Sequence, residues 1–226
     1  FKVGIKFSKT YRFTDINYNV ASRNDKETMF LAYSELLNSL DCAATTKLTI
    51  CNRRQSQADF EQSVLMPMQE DGLDKYRREY NQMLMDKATG ANGITQEKYV
   101  TITVYKRDIE DARAYFARIG ADLTARFAAL GSKCVELDAT DRLRILHDFY
   151  RAGDEGNFHF DMADMARKGH DFKDYICPDG IEKHSDYLKL GDRYCRVLFL
   201  KDYANYIQDE IVTNLTDLDR NMMLSI

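Results

Sequence analysis

The sequence predicts an α+β fold: a mixed β-sheet, as one sheet or two sub-sheets, with helices packed mainly on one side and built from strand-helix-strand units. Three observations carry this. Short runs alternate, as where Val100, Ile102 and Val104 interleave with Tyr99, Thr101, Thr103 and Tyr105, which gives a strand one aliphatic and one Tyr/Thr face. Longer runs space apolar residues three and four apart, the mark of amphipathic helices. The two patterns take turns along 226 residues, and a hydrophobic fraction of 44% is enough to fill a core.

The elements follow in order. Phe1, Val3, Ile5 and Phe7 alternate, and a second extended run covers 10–13; a hairpin and one bent strand both fit. A helix over 25–40 sets Met29, Phe30, Tyr33, Leu36, Leu37 and Leu40 on one side, and a strand over 47–52 completes a β-α-β unit. A shorter helix over 58–65 halts near Pro67. Residues 66–106 read as one complete helix, turn and strand. There Leu73, Tyr76, Tyr80, Met83 and Leu84 have the spacing of one buried helical stripe, with Asp71 as N-cap and Asp74 in the first turn. Gly90, Asn92 and Gly93 stop that helix, and the strand after it has both faces at least partly covered.

The longest helix spans 108–130 with a stripe of Ile109, Ala112, Phe116, Ile119, Leu123, Phe127 and Leu130, and ends at Gly131. A strand over 133–137 closes a second β-α-β unit. Thr140 then opens a helix that turns Leu143, Leu146, Phe149 and Tyr150 inward. Periodicity breaks over 153–182, where Gly153, Gly156, Gly169, Pro178 and Gly180 predict a long irregular segment with one short helix at 171–175 and a sub-domain boundary. Runs at 187–190 and 194–200 flank Gly191-Asp192 as a hairpin, and a helix over 207–215 leads to a strand over 222–226. That apolar end, without cap or polar tail, reads as a cut from a longer chain.

A net charge of −4 with 30% charged residues provides no global attraction to nucleic acid or acidic lipid. Five scattered cysteines, Cys42, Cys51, Cys134, Cys177 and Cys195, suit reduced, buried thiols and a cytoplasmic setting better than a disulfide framework. No window approaches 18 apolar residues, and the start lacks a signal-peptide pattern, so membrane association is expected through partners only.

Motifs for catalysis are missing. A phosphate loop needs Gly-x-x-x-x-Gly-Lys-Ser/Thr, whose backbone N–H groups and lysine cradle phosphate, and the chain contains no Gly-Lys pair. It has no dinucleotide G-x-G-x-x-G and no G-x-S-x-G elbow either. His147, His159, His170 and His184 are far apart, without Cys-x-x-Cys or His-Glu-x-x-His. His159, Asp161 and His170 form the nearest thing to a metal cluster, and Asp161, Asp164, Asp171 and Asp174 to an acid/base pair; both groups read as loop solvation and turn capping. Cys177, before Pro178, reads as inert and buried. No catalytic, cofactor-binding or metal-binding residue is therefore assigned. The candidate interaction surface is Lys75, Tyr76, Arg77, Arg78 and Tyr80, where arginines beside tyrosines suit a protein partner or, as the alternative, stacked bases of single-stranded DNA. Acidic neighbours, with Lys75 and Glu79 spaced as an i,i+4 pair, favour a solvated helix face over nucleic acid.

Several runs carry a family resemblance: 7–18 (FSKTYRFTDINY), Met66-Pro67-Met68 through Asp71-Gly72, Glu79-Tyr80-Asn81 with Ala91-Asn92-Gly93, Arg142-Leu143 with Leu146-His147-Asp148, and Asp174-Tyr175-Ile176 with Pro178. In order and over nearly the whole chain they resemble the N-terminal domain of VirB/TraE-type conjugation ATPases of type IV secretion systems, in the form carried by conjugative transposons of Gram-positive bacteria. The resemblance implies that residues 1–226 are a docking and assembly domain, not itself an enzyme, of a longer motor. ATP and magnesium would belong to a C-terminal RecA-like domain that this chain lacks. The implied partners are membrane subunits of the channel, the motor's own ATPase domain and other protomers. The implied place is the cytoplasm, peripheral at the inner face of the membrane.

Overall fold

In chain order the elements are β1 (Ile5–Phe13), α1 (Arg23–Asn38), β2 (Thr45–Arg54), α2 (Asp74–Gly90), β3 (Ile94–Lys106), α3 (Ile109–Ala129) and β4 (Cys134–Glu136). They continue with α4 (Ala139–Tyr150), a 3-10 turn (Glu155–Asn157), α5 (Met162–Lys168), α6 (Phe172–Ile176), β5 (Ile181–Lys183), β6 (Leu188–Leu190), β7 (Arg193–Cys195), α7 (Asp209–Thr216) and β8 (Met222–Ser225). The structure, a computed structural model, describes residues 4–16, 18, 20–54, 65–90, 94–202, 204–206, 208–218 and 220–226. The protein is α+β. It divides into unit 1 (Phe1–Cys51, Gln96–Asp138, Met223–Ile226) and unit 2 (Asn52–Thr95, Ala139–Met222).

The main sheet has the order β4-β1-β3-β2-β8. β1 is antiparallel to both β3 and β4, so β3 and β4, joined through α3, run parallel with β1 between them. Likewise β1 and β2, joined through α1, are separated by β3. Two interleaved strand-helix-strand units of this kind are the split β-α-β topology of ferredoxin-like folds. β8 extends the sheet beside β2, where Leu48 and Ile226 exchange both backbone hydrogen bonds at 2.9 Å, the narrow pair of an antiparallel ladder.

Side-chain alternation aims one sheet face at α3. Phe7, Tyr11, Val100, Ile102 and Val104 share that face through the register Phe7↔Val104 and Tyr11↔Val100. They pack with Ala112, Phe116, Ile119, Leu123 and Phe127 of α3 and with Leu36 of α1, each large side chain contributing about 1.5–3 kcal/mol by leaving water. The Phe13 and Phe127 rings stack at 4.8 Å. The other face is partly covered as well, since Tyr99 and Thr10 are buried and the Thr10 and Thr101 hydroxyls lie 2.9 Å apart.

Helix ends follow local chemistry. Ser22 accepts from the Asp25 N–H at 3.3 Å and so starts α1 two residues ahead of the expected 25. Asp108 accepts from the Asp111 N–H at 2.9 Å to open α3. At its other end Ser132 N–H donates to Phe127 C=O and Gly131 N–H to Ala128 C=O, with Gly131 at φ 78°: a Schellman closure. Two expectations in unit 1 need correction. Ile109 is exposed at the mouth of α3, and Phe30 and Leu37 of α1 face outward while Met29, Tyr33, Leu36 and Leu40 pack inward. One narrow stripe covers the sheet, and the flanking positions 30 and 37 fall beyond it.

In unit 2, Leu143 is the one buried apolar side chain among the described residues. Here α4 departs from expectation. It begins at Ala139, so Thr140 sits in its first turn; Leu143 and His147 face inward, and Leu146, Phe149 and Tyr150 are exposed. Polar contacts decide this rotation, because Asp148 takes an ion pair from Arg53 at 3.0 Å and the His147 ring meets that of Phe158 at 5.1 Å. The 153–182 stretch lies inside unit 2 and holds α5 and α6, where one short helix is expected. Most of the helix expected over 58–65 lies outside the described residues. The predicted hairpin forms as β6 and β7 within the sheet β5-β6-β7, but its second strand stops at Cys195.

None of the five cysteines is in a disulfide, and burial holds only for Cys134, whose thiol pKa it pushes up to about 11. Cys42 and Cys177 are exposed, which corrects the expectation of buried thiols. No helix of the described residues is long and apolar enough to cross a membrane.

Candidate docking surface

α2 carries two stripes at helical spacing, and the structure inverts the expected one. Leu73, Tyr76, Tyr80 and Met83, expected to be buried, are 56%, 64%, 44% and 41% exposed, and of the expected stripe only Leu84 is half-buried. The inward stripe is Asp74, Arg77 and Asn81, at i, i+3 and i+7. An inward polar stripe is stable only when its groups are paired, and these are.

Arg77 is the centre. It donates to Asp71 through both terminal guanidinium nitrogens, one at 2.8 Å, and reaches Asp74 at 2.7 Å and the Gln69 side-chain Oε1 at 3.2 Å. Its side chain is 16% exposed. The hydrogen bonds from Arg77 hold Asp71 below the usual carboxylate range; Asp74 is lowered first by the Gln69 N–H and then by Arg77. Asp74 also accepts from the Glu70 N–H at 2.9 Å, which supports Glu70 at φ 55°. One turn on, the Asn81 amide makes two bonds of 2.9 Å with the backbone N–H and C=O of Met66. The 66–74 segment is thereby clamped along α2, and the outward stripe is held in place from behind.

Of the candidate residues, Lys75, Tyr76, Arg78 and Tyr80 are exposed and Arg77 is drawn into the clamp. Lys75 and Glu79 do not form the i,i+4 pair that their spacing allows; both stand exposed. Leu73 and Met83 join Tyr76 and Tyr80 on the outward face, and Asn81 joins Arg77 behind it. Sequence periodicity contains both stripes; the repeat Asp74, Arg77, Asn81 is the signal that could have revealed the second.

The carboxylates and histidines elsewhere act as caps and ties. Asp161 accepts from the N–H groups of Ala163 and Asp164 at 2.7 and 3.0 Å to start α5. Asp171 and Asp174 form a capping box on α6, with His170 3.2 Å from Asp174. Among the described residues no group of three or more His, Cys, Asp or Glu could hold a metal ion. A hollow of about 500 Å³ in unit 2, between 150–154, 178–179 and 190–193, is lined by Arg151. That guanidinium is answered by Asp154 at 3.0 Å, Asp179 at 2.9 Å and the Cys177 carbonyl at 2.8 Å. It is a strut within the unit.

Comparison with models of known protein families gives no match, and a search of curated proteins finds none that matches this chain.

Proposed function

We propose that the chain is a non-catalytic docking and assembly domain, and that it serves a type IV secretion ATPase by holding the motor to membrane subunits of its channel. The observation that supports a docking role is the outward face of α2. Large apolar and aromatic side chains on a helix braced from behind lose little entropy on binding, and tyrosines flanked by cations suit the core and rim of a protein interface. The assignment to a secretion motor comes from the sequence resemblance. ATP and magnesium belong, on this reading, to a C-terminal domain of the longer protein.

The test is co-purification of the channel's small membrane subunits with this chain and with Tyr76→Asp/Tyr80→Asp. Retention by the parent and loss by the variant supports the reading; equal retention, or none by either, removes it. Single-stranded DNA is the alternative occupant of the same face. Withdrawal of Arg77 leaves Lys75 and Arg78 as the exposed cations among the candidate residues, too few by themselves for strong phosphate neutralisation. Binding of an oligonucleotide that weakens steeply with salt and is lost in the same variant would move the assignment to DNA.

A further inference from the structure

Residues 196–202, Arg-Val-Leu-Phe-Leu-Lys-Asp, follow β7 with no ladder beside them, 196–200 outside any regular element and 201–202 in a bend. Val197, Leu198, Phe199 and Leu200 are 76%, 82%, 84% and 73% exposed, four consecutive apolar side chains in water. The cause lies in the neighbouring strand. β7 pairs with β6 as Leu188↔Cys195 and Leu190↔Arg193, so a longer β7 would need a partner before Leu188. There the chain turns back, closed by the His184 N–H to the Tyr187 carbonyl at 3.0 Å. A run with strand propensity thus outlasts its ladder and leaves an uncovered apolar edge, which soluble proteins ordinarily pair, cover or charge.

The flanking charges identify the cover. An antiparallel pair made by two copies of the segment about a two-fold axis through Phe199, which straightens the bend at 201–202, sets Arg196 opposite Asp202, Leu198 opposite Leu200 and Phe199 opposite itself. Symmetry makes the Arg196–Asp202 pair twice, and both pairs share a face with the two Leu198–Leu200 contacts. Moving the axis by half a residue, to between Leu198 and Phe199, sets Arg196 opposite Lys201, a like-charge pair. Moving it to Leu198 leaves Arg196 opposite Leu200. Neither Arg196 nor Asp202 has an ion-pair partner among the described residues, so both are available.

We propose that residues 196–202 are a self-recognition strand, through which two copies of this chain join by antiparallel pairing centred on Phe199. This surface is separate from the outward face of α2, and the inference does not rest on the docking reading.

Sedimentation of the 226-residue chain over a wide concentration range tests it. The parent should show a monomer–dimer equilibrium. Arg196→Asp and Asp202→Arg, each alone, should raise the dissociation constant by about tenfold or more as two attractive cross-strand pairs become repulsive. The double exchange Arg196→Asp/Asp202→Arg should recover the parent's value. Phe199→Asp should be monomeric, and because position 199 is exposed its helical spectrum should not change. Phe199→Cys should link two copies under mild oxidation, since the residue faces itself across the axis. A parent that stays monomeric, a double exchange that fails to recover, or a monomer that instead sediments with anionic vesicles through 197–200 would overturn the proposal.

Discussion

Tyr11 is the most constrained side chain in the core. Its ring is buried opposite Val100, its hydroxyl finds no hydrogen-bond partner among the described residues, and a Cβ at position 120 would lie 3.1 Å from that oxygen. Burial raises its pKa well above the ordinary 10.0, because an ionised phenolate there has no water. Removing an unpartnered buried hydroxyl relieves its desolvation, so Tyr11→Phe should leave stability unchanged or raise it by up to about 1 kcal/mol in a thermal melt. Gly120→Val should lower it by about 1–3 kcal/mol, since the ring is enclosed and cannot give way. Arg77 and its two carboxylates respond to pH instead. Asp71 and Asp74 have lowered pKa values in the fold, so their contribution is complete above the ordinary 3.8 and is lost as pH falls through the lowered values. Amide protection factors over 74–86, each taken relative to the intrinsic exchange rate at that pH, should therefore hold steady from pH 7 to about 4 and fall below it. Arg77→Met should show that loosening at neutral pH.

At the scale of elements, caps and stripes behave differently. The C-terminal stop of α3 depends on Gly131 taking a left-handed conformation that any Cβ resists, with open space around it. Gly131→Ala should therefore cost about 1 kcal/mol through the backbone alone, measurable by denaturant unfolding without change in slope. This stop and the alternation of β3 were both legible in the sequence, because each depends on a few adjacent residues. The faces of α2 and α4 were not. Both helices carry polar and apolar residues at compatible spacings, and which stripe turns inward depends on partners distant in the chain: Met66 for Asn81, Arg53 for Asp148. Of the candidate surface, Tyr76 and Tyr80 were found by residue type, and their outward direction came only with the fold.

For the whole molecule, the division of labour between the two units is the main consequence. Unit 1 holds every buried apolar residue among those described except Leu143, whereas unit 2 relies on ion pairs and side-chain ties and shows its large apolar groups to solvent. Burial of apolar surface dominates stability, and half-exposed ion pairs add little. Native-state hydrogen exchange should accordingly show β1, β3 and α3 opening only at the global limit, and α2, α4 and the β5-β6-β7 sheet opening at lower free energy. Protection rising in unit 2 when a partner is added would mark the surfaces that it covers.

By itself the sequence determined the α+β class, the order of strands and helices along the chain and several of the stops that bound them, since alternation, helical spacing and capping act over a few residues. Tertiary structure alone decided that the strands interleave as β4-β1-β3-β2-β8, that Leu73 and, on α2, Tyr76, Tyr80 and Met83 face solvent, and that the apolar run after β7 has no ladder beside it. A periodic pattern says that a helix has two faces. Only the groups that another part of the chain brings against them determine which face is buried.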